Sequence, residues 1–247
     1  MRYFLHLAYK GTHFNGWQRQ PNALGVQQSI EDTFSMVLRK EIEITGCGRT
    51  DTGVHASSYY AHFDFDGDFP VGFLRRVNKI LPADIVIFSI LPVSETAHAR
   101  FDATKRSYVY RLGFVKDPFN QDTVTFFPFA DKLDIQKVTA AAALLLNYSE
   151  FFPFCKSDHD AKTLKCELTE CRWEFFEDGS GANFHISSNR FLRGMVRLIV
   201  GMCLNVGLGK INLETVREAM DRQVILKKAE SAPPEGLYLS NIEYPYL

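Results

Sequence analysis

With 247 residues, 46% of them hydrophobic and 13% aromatic, the chain has material for a buried core in one large domain or two small ones, which excludes a disordered or low-complexity protein. A net charge of −1, from 28 basic and 29 acidic side chains, excludes a uniformly polycationic nucleic-acid binder and leaves room for a basic surface confined to one place. The five cysteines are odd in number and irregularly spaced, which argues against a disulfide framework, and no apolar run of about 18 residues is available to cross a membrane, so a soluble cytoplasmic protein with reduced thiols is expected.

Residues 2–9 alternate loosely and predict a first strand. The loop KGTHFNGWQRQPNALG follows, long for a simple connection, and then Val26, Ile30, Phe34 and Val37 recur on one face and predict a helix over 26–39. Strand signals return at 41–45 and again at 58–66, with GCGRTDTGVHA (46–56) in the loop between them. DGDFP breaks the chain before a short helix near 71–80, and DIVIFSILPV (84–93) reads as another strand. HARFDATKRSYVYRLGFV (98–115) reads as a linker entering a long strand in which Tyr108, Tyr110 and Leu112 share one face, so the boundary is set between 1–104 and 105–247.

The second half begins with a hairpin-like region (106–127) and a helix over 134–146. The aromatic loop NYSEFFPFCKSDHDAKT then leads to strands at 163–176 and 182–188 around the turn EDGSG. An amphipathic helix over 190–207, a helix near 212–221 and the strand LYLSNIEY complete the chain. Strands and helices mix without strict βαβ repeats, which predicts an α+β fold of antiparallel or mixed sheets with helices packed on one face.

Two stretches hold the chemistry-bearing residues. In GCGRTDTGVHA, Gly46, Gly48 and Gly53 allow close or left-handed backbone around the Arg49 guanidinium and the Asp51 carboxylate. Read alone, that pattern supports either a turn in which Asp51 caps amides or a carboxylate held for chemistry. In the predicted helix 190–207, Arg190, Arg193 and Arg197 line one side, and Arg197 sits within the apolar run MVRLIVG, where an unpaired guanidinium is costly and calls for a partner. Neither zinc spacing nor a phosphate loop nor a nucleophile elbow is present, which argues against a zinc site, a phosphate loop and an elbow nucleophile.

FNGWQRQ (14–20), GRTDTGVHA (48–56), HARFDATKRSYVYR (98–111), NRFLRGMVRLIVG (189–201) and SAPPEGLYL (231–239) occur in the order and spacing that resemble the TruA family of tRNA pseudouridine synthases. The resemblance implies the pseudouridine synthase fold, two α+β subdomains with an active-site cleft between them. It also implies an isomerase acting as a homodimer, without cofactor or metal, on uridines 38, 39 and 40 in the anticodon arm of tRNA. Matched motif by motif, Asp51 is the implied catalytic aspartate and Tyr108 the ring that stacks on the target base. Arg197 is the implied partner of the aspartate, and Arg49 helps hold the flipped nucleotide.

Phe14, Trp17, Gln18, Arg19, Gln20, Lys105, Arg106, Arg190 and Arg193 are further candidates for RNA contacts. The rival readings are a non-catalytic RNA-binding module, in which Asp51 is structural, and an α+β protein with a structural arginine–carboxylate bridge.

Overall fold

β1 (Arg2–Tyr9) forms where apolar side chains can enter a core, and Phe4, Leu5, Leu7 and Tyr9 are all buried. It lies between β3 (His55–Asp64) and β4 (Ile85–Val93), antiparallel to both, with Leu5 opposite Ala61 on one side and Ile90 on the other. A two-residue strand, β2 (Thr45–Gly46), pairs with β3, so most of the expected strand at 41–45 is irregular backbone.

The structure, a computed structural model, describes residues 1–155 and 163–247; part of the expected aromatic loop at 149–163 therefore lies outside the described residues. The chain divides into two compact units, Met1–Thr104 with Tyr238–Leu247, and Lys105–Leu237. The last ten residues thus pack with the first unit, because β9 (Leu237–Glu243) runs parallel to β3 with Tyr238 opposite His55.

In the first unit, α1 (Val26–Leu38) buries the predicted stripe Val26, Ile30, Phe34 and Val37, and the left-handed Arg39 (φ 54°) ends it. Each of these side chains contributes about 1.5–3 kcal/mol by leaving water. Phe34 is the knot of this core, edge-on to Phe63 of β3 at 5.5 Å and to Phe73 of α2 (Phe73–Ile80) at 5.2 Å.

In the second unit, β5 (Lys105–Gly113) pairs antiparallel with β8 (Gly181–Ser188), which forms a hairpin with β7 (Leu168–Phe175). The short strand β6 (Thr125–Phe126) runs parallel to β5, so the expected hairpin at 106–127 is a crossover instead. α3 (Ile135–Leu144) begins where the Asp134 carboxylate accepts from the Lys137 backbone amide, and α5 (Leu213–Arg222) where the Asn212 side-chain oxygen accepts from the Glu214 backbone amide.

α4 (Met195–Gly207) starts five residues later than its sequence pattern predicts. Gly194 takes a left-handed conformation (φ 71°) at its N-cap and blocks an earlier start. Arg190 and Arg193 therefore precede the helix, and only Arg197 of the three arginines lies on it. Mixed sheet pairing with five α-helices among the described residues makes the fold α+β, as composition and pattern predict.

Candidate active site

The segment 47–54 crosses from β2 to β3 and carries Arg49 and Asp51. Its backbone closes a four-residue turn, the Val54 amide donating to the Asp51 carbonyl at 3.1 Å with Gly53 at φ 78°. Asp51 is half-buried at this turn, while Arg49 and Thr52 on either side are exposed. A carboxylate so placed can meet a ligand at the surface and yet be aimed by a fixed backbone.

What fixes that backbone lies outside the motif. Thr50 is buried, its hydroxyl 2.8 Å from that of Tyr9 and its carbonyl accepting from the Trp17 amide at 3.3 Å. The buried Tyr59 hydroxyl donates to the Gly48 carbonyl at 2.5 Å, and its ring stacks on Trp17 with centroids 4.0 Å apart. Gly16 (φ 79°) passes so close to the segment that a Cβ there would stand 2.4 Å from the Thr50 carbonyl oxygen. His55, the first residue of β3, is buried and accepts from the Gly11 amide through Nδ1 at 2.9 Å. The loop 10–25 is therefore the cradle of the Asp51 turn, which explains its length.

This alters the expected roles of that loop. Phe14 and Trp17 are each 3% exposed, so their rings are core and offer no face to loop bases. Arg19 is exposed but ion-paired with Glu31 at 3.2 Å and Asp32 at 3.6 Å, while the Gln20 side chain donates to the Asn15 carbonyl. Gln18 is exposed. An open polar groove of about 820 Å³ involves Arg19, Gln27, Glu31, Lys40 and Glu43; it does not include Asp51, and its near balance of acids and bases gives phosphates no single-sign surface.

In the second unit, Tyr108 lies on β5 opposite Ile186, half-buried, with the Phe191 ring edge-on to it at 5.2 Å. Two residues along the same face, Tyr110 is fully buried, its hydroxyl 2.8 Å from that of Thr125 and donating to the Pro233 carbonyl at 3.0 Å. Burial holds its phenol above the usual tyrosine range, so it is a structural donor rather than a base. The Arg106 guanidinium donates to the Asn189 carbonyl at 3.0 Å and that of Arg190 to the Thr163 carbonyl at 3.2 Å. The Arg106 bond and the Tyr108–Phe191 ring contact join β5 to the segment that follows β8, while Arg190 reaches back to Thr163. Lys105 is half-buried at the start of β5, and Arg193 is exposed just before α4.

Arg197 stands in the first turn of α4 and is tied twice to one residue. Its Nε donates to the Ala232 carbonyl at 2.6 Å, and its own carbonyl accepts from the Ala232 amide at 3.0 Å. The segment 231–236, a motif with no chemistry of its own in the sequence, thus orients the arginine.

None of the five cysteines is in a disulfide, and burial raises the thiol of Cys166 to about 11 and that of Cys203 to about 12, which leaves these two protonated and inert. Among the described residues there is no group of three or more His, Cys, Asp or Glu side chains able to hold a metal ion, and no helix is long and apolar enough to cross a membrane.

A family profile described as tRNA pseudouridine synthase matches residues 142–245, which include Arg197 but not Asp51. The tRNA pseudouridine synthase A of Porphyromonas gingivalis is 43% identical over 247 residues, covering 99% of this chain and 97% of its own. That of Bacteroides fragilis is also 43% identical, with 99% and 96% covered. The tRNA pseudouridine synthase A 2 of Clostridium perfringens is 34% identical over 241 residues, with 97% and 98% covered.

Proposed function

The chain belongs to the tRNA pseudouridine synthase family and is an isomerase of uridine in tRNA; from that premise we propose that its targets are uridines 38, 39 and 40 of the anticodon stem-loop and that Asp51 carries the reaction. The observation that carries the assignment of Asp51 is the bracing of its turn by Tyr9, Gly16, Trp17 and Tyr59, four residues spent on the position of one half-exposed carboxylate. A capping aspartate on a surface turn needs no such support.

Pseudouridine formation breaks the bond from ribose C1′ to uracil N1, turns the base and joins C1′ to C5, with the C5 hydrogen leaving as a proton and N1 taking one up. A carboxylate at the ribose serves either as nucleophile at C1′ or as the base that removes the 2′ proton, and both routes begin with Asp51 ionised. We assign Arg197, whose Nε is bonded to the Ala232 carbonyl, as the guanidinium that serves the reacting carboxylate. Extruding the uridine costs a few kcal/mol, against which stacking on the Tyr108 ring contributes about 1–3 kcal/mol. Arg49, exposed beside Asp51, holds the flipped nucleotide through its phosphate or sugar. The exposed Arg193 and Gln18, with Lys105, Arg106 and Arg190, add contacts to the RNA backbone.

This reading takes the enzyme to work as a cytoplasmic homodimer without metal or cofactor. It is tested by mapping pseudouridine in unmodified tRNA transcripts that carry uridine at only one of positions 38, 39 and 40. Modification at each of the three and nowhere else is expected; modification confined to another arm would overturn the assignment.

A further inference from the structure

α1 carries a polar pair, Gln27 and Glu31, one turn apart beside its apolar stripe. Glu31 is 6% exposed, an unusual place for a carboxylate on a helix of this size. Both oxygens are engaged: Oε1 accepts from the Ile44 amide at 3.0 Å and from Gln27 Nε2 at 2.8 Å, and Oε2 accepts from the Arg19 guanidinium at 3.2 Å. Gln27 completes the set. Its Nε2 donates to the Ile44 carbonyl at 2.9 Å, its Oε1 accepts from the Arg19 amide at 3.2 Å, and its backbone amide donates to the Trp17 carbonyl at 2.9 Å. Only this orientation of the amide makes every contact run from donor to acceptor.

The pair therefore holds two segments at once. It takes both backbone groups of Ile44, two residues before the glycine that opens GCGRTD, and both ends of Arg19, two residues after the tryptophan that stacks on Tyr59. We infer that Glu31, assisted by Gln27, is a positioning residue for the isomerisation, fixing the Asp51 turn from behind by clamping its incoming strand to the loop that cradles it. The inference rests on the reading of Asp51 as the carboxylate that reacts. Glu31 touches no substrate; it acts through Ile44, Arg19 and Trp17. Displacement of a reacting group by about 1 Å can cost on the order of 100-fold in rate, so a clamp of this kind has catalytic weight at a distance.

The substitutions Glu31→Ala, Glu31→Gln and Gln27→Ala separate the positioning role from simple support of the fold. Steady-state isomerisation of a tRNA transcript is measured for each at a temperature where circular dichroism shows it fully folded. Glu31→Ala is expected to lower kcat about 100-fold with KM for tRNA within about threefold of wild type. Glu31→Gln, which still accepts from the Ile44 amide but faces the Arg19 guanidinium donor to donor, is expected to recover part of that loss. Should Glu31→Ala fail to fold, Gln27→Ala, which leaves the carboxylate in place, is expected to show the same fall in kcat without a change in KM. Wild-type kcat in the folded variants, or a raised KM at unchanged kcat, overturns the inference. Asp51→Asn is assayed alongside: if it is inactive while the clamp variants are fully active, only the clamp is refuted, whereas an active Asp51→Asn refutes the reading on which the clamp rests.

Discussion

The Tyr59 hydroxyl donates to the Gly48 carbonyl at 2.5 Å, and through that bond the core of the first unit reaches the segment that carries Asp51. Tyr59 is fully buried, so Tyr59→Phe would leave the carbonyl without this donor while keeping the stack on Trp17. The expected cost is about 1–3 kcal/mol of stability, with kcat falling further than KM for tRNA rises. Denaturant unfolding and steady-state kinetics on the same preparation check both parts.

Gly16 and Gly48 flank the same turn and differ in what a methyl group would meet. At Gly16 it would force a left-handed backbone on alanine and stand 2.4 Å from the Thr50 carbonyl oxygen, whereas at Gly48 nothing lies within 4 Å. Gly16→Ala is expected to destabilise by about 2 kcal/mol or more and to abolish most turnover, and Gly48→Ala to change stability by less than about 1 kcal/mol. Equal stabilities for the two variants would show that the cradle is not tight.

Arg197 is bonded to Ala232 through both its Nε and its backbone carbonyl. Arg197→Leu removes charge and orientation together and is expected to reduce turnover by about 100-fold or more while tRNA affinity falls far less. Arg197→Lys keeps the charge without the guanidinium fork and is expected to fall between wild type and leucine. Rapid-quench rates and filter binding separate the two effects; an unchanged rate in a folded leucine variant refutes the proposed role.

His62 gives the fold an acid limit. It is 6% exposed, its Nδ1 accepts from the Ala99 amide at 3.1 Å, and burial, with the Arg2 and His98 charges, lowers its pKa to about 4. The unfolded histidine titrates near its ordinary 6.5, so between about 6.5 and 4 the unfolded chain binds more protons than the folded one. Stability is expected to fall through that window as pH drops, by up to roughly 3 kcal/mol from this group. Urea unfolding at several pH values should show a shallower decline for His62→Gln than for wild type.

The parts of this protein that follow local rules were legible in the sequence. β1 and the buried face of α1 are where alternation and helical spacing put them, and the density of glycine around Asp51 marked its turn. Local spacing failed where a single backbone angle or a distant partner decides. Side-chain periodicity predicts a continuous helix through the arginine stripe at 190–207 because nothing in it reveals that Gly194 is left-handed. The parallel pairing of β6 depends on non-local contacts that no turn signal encodes.

Their place in a long loop predicts Phe14 and Trp17 as rings for RNA, yet that loop is long because it folds into the core beneath the Asp51 turn. Glu31 is hidden in the sequence for the opposite reason. A glutamate on a helix reads as solvated, and only its partners Ile44 and Arg19, 13 and 12 residues away, show that it is not.

The central claim is that Asp51 performs chemistry and does not merely cap a turn. Wild type, Asp51→Asn and Asp51→Ala are incubated with tRNA transcript tritiated at uracil C5, and label release is followed alongside tRNA binding. The account predicts that wild type releases label while both variants bind tRNA, remain folded and release none. Release by either variant at a rate near that of wild type would contradict it.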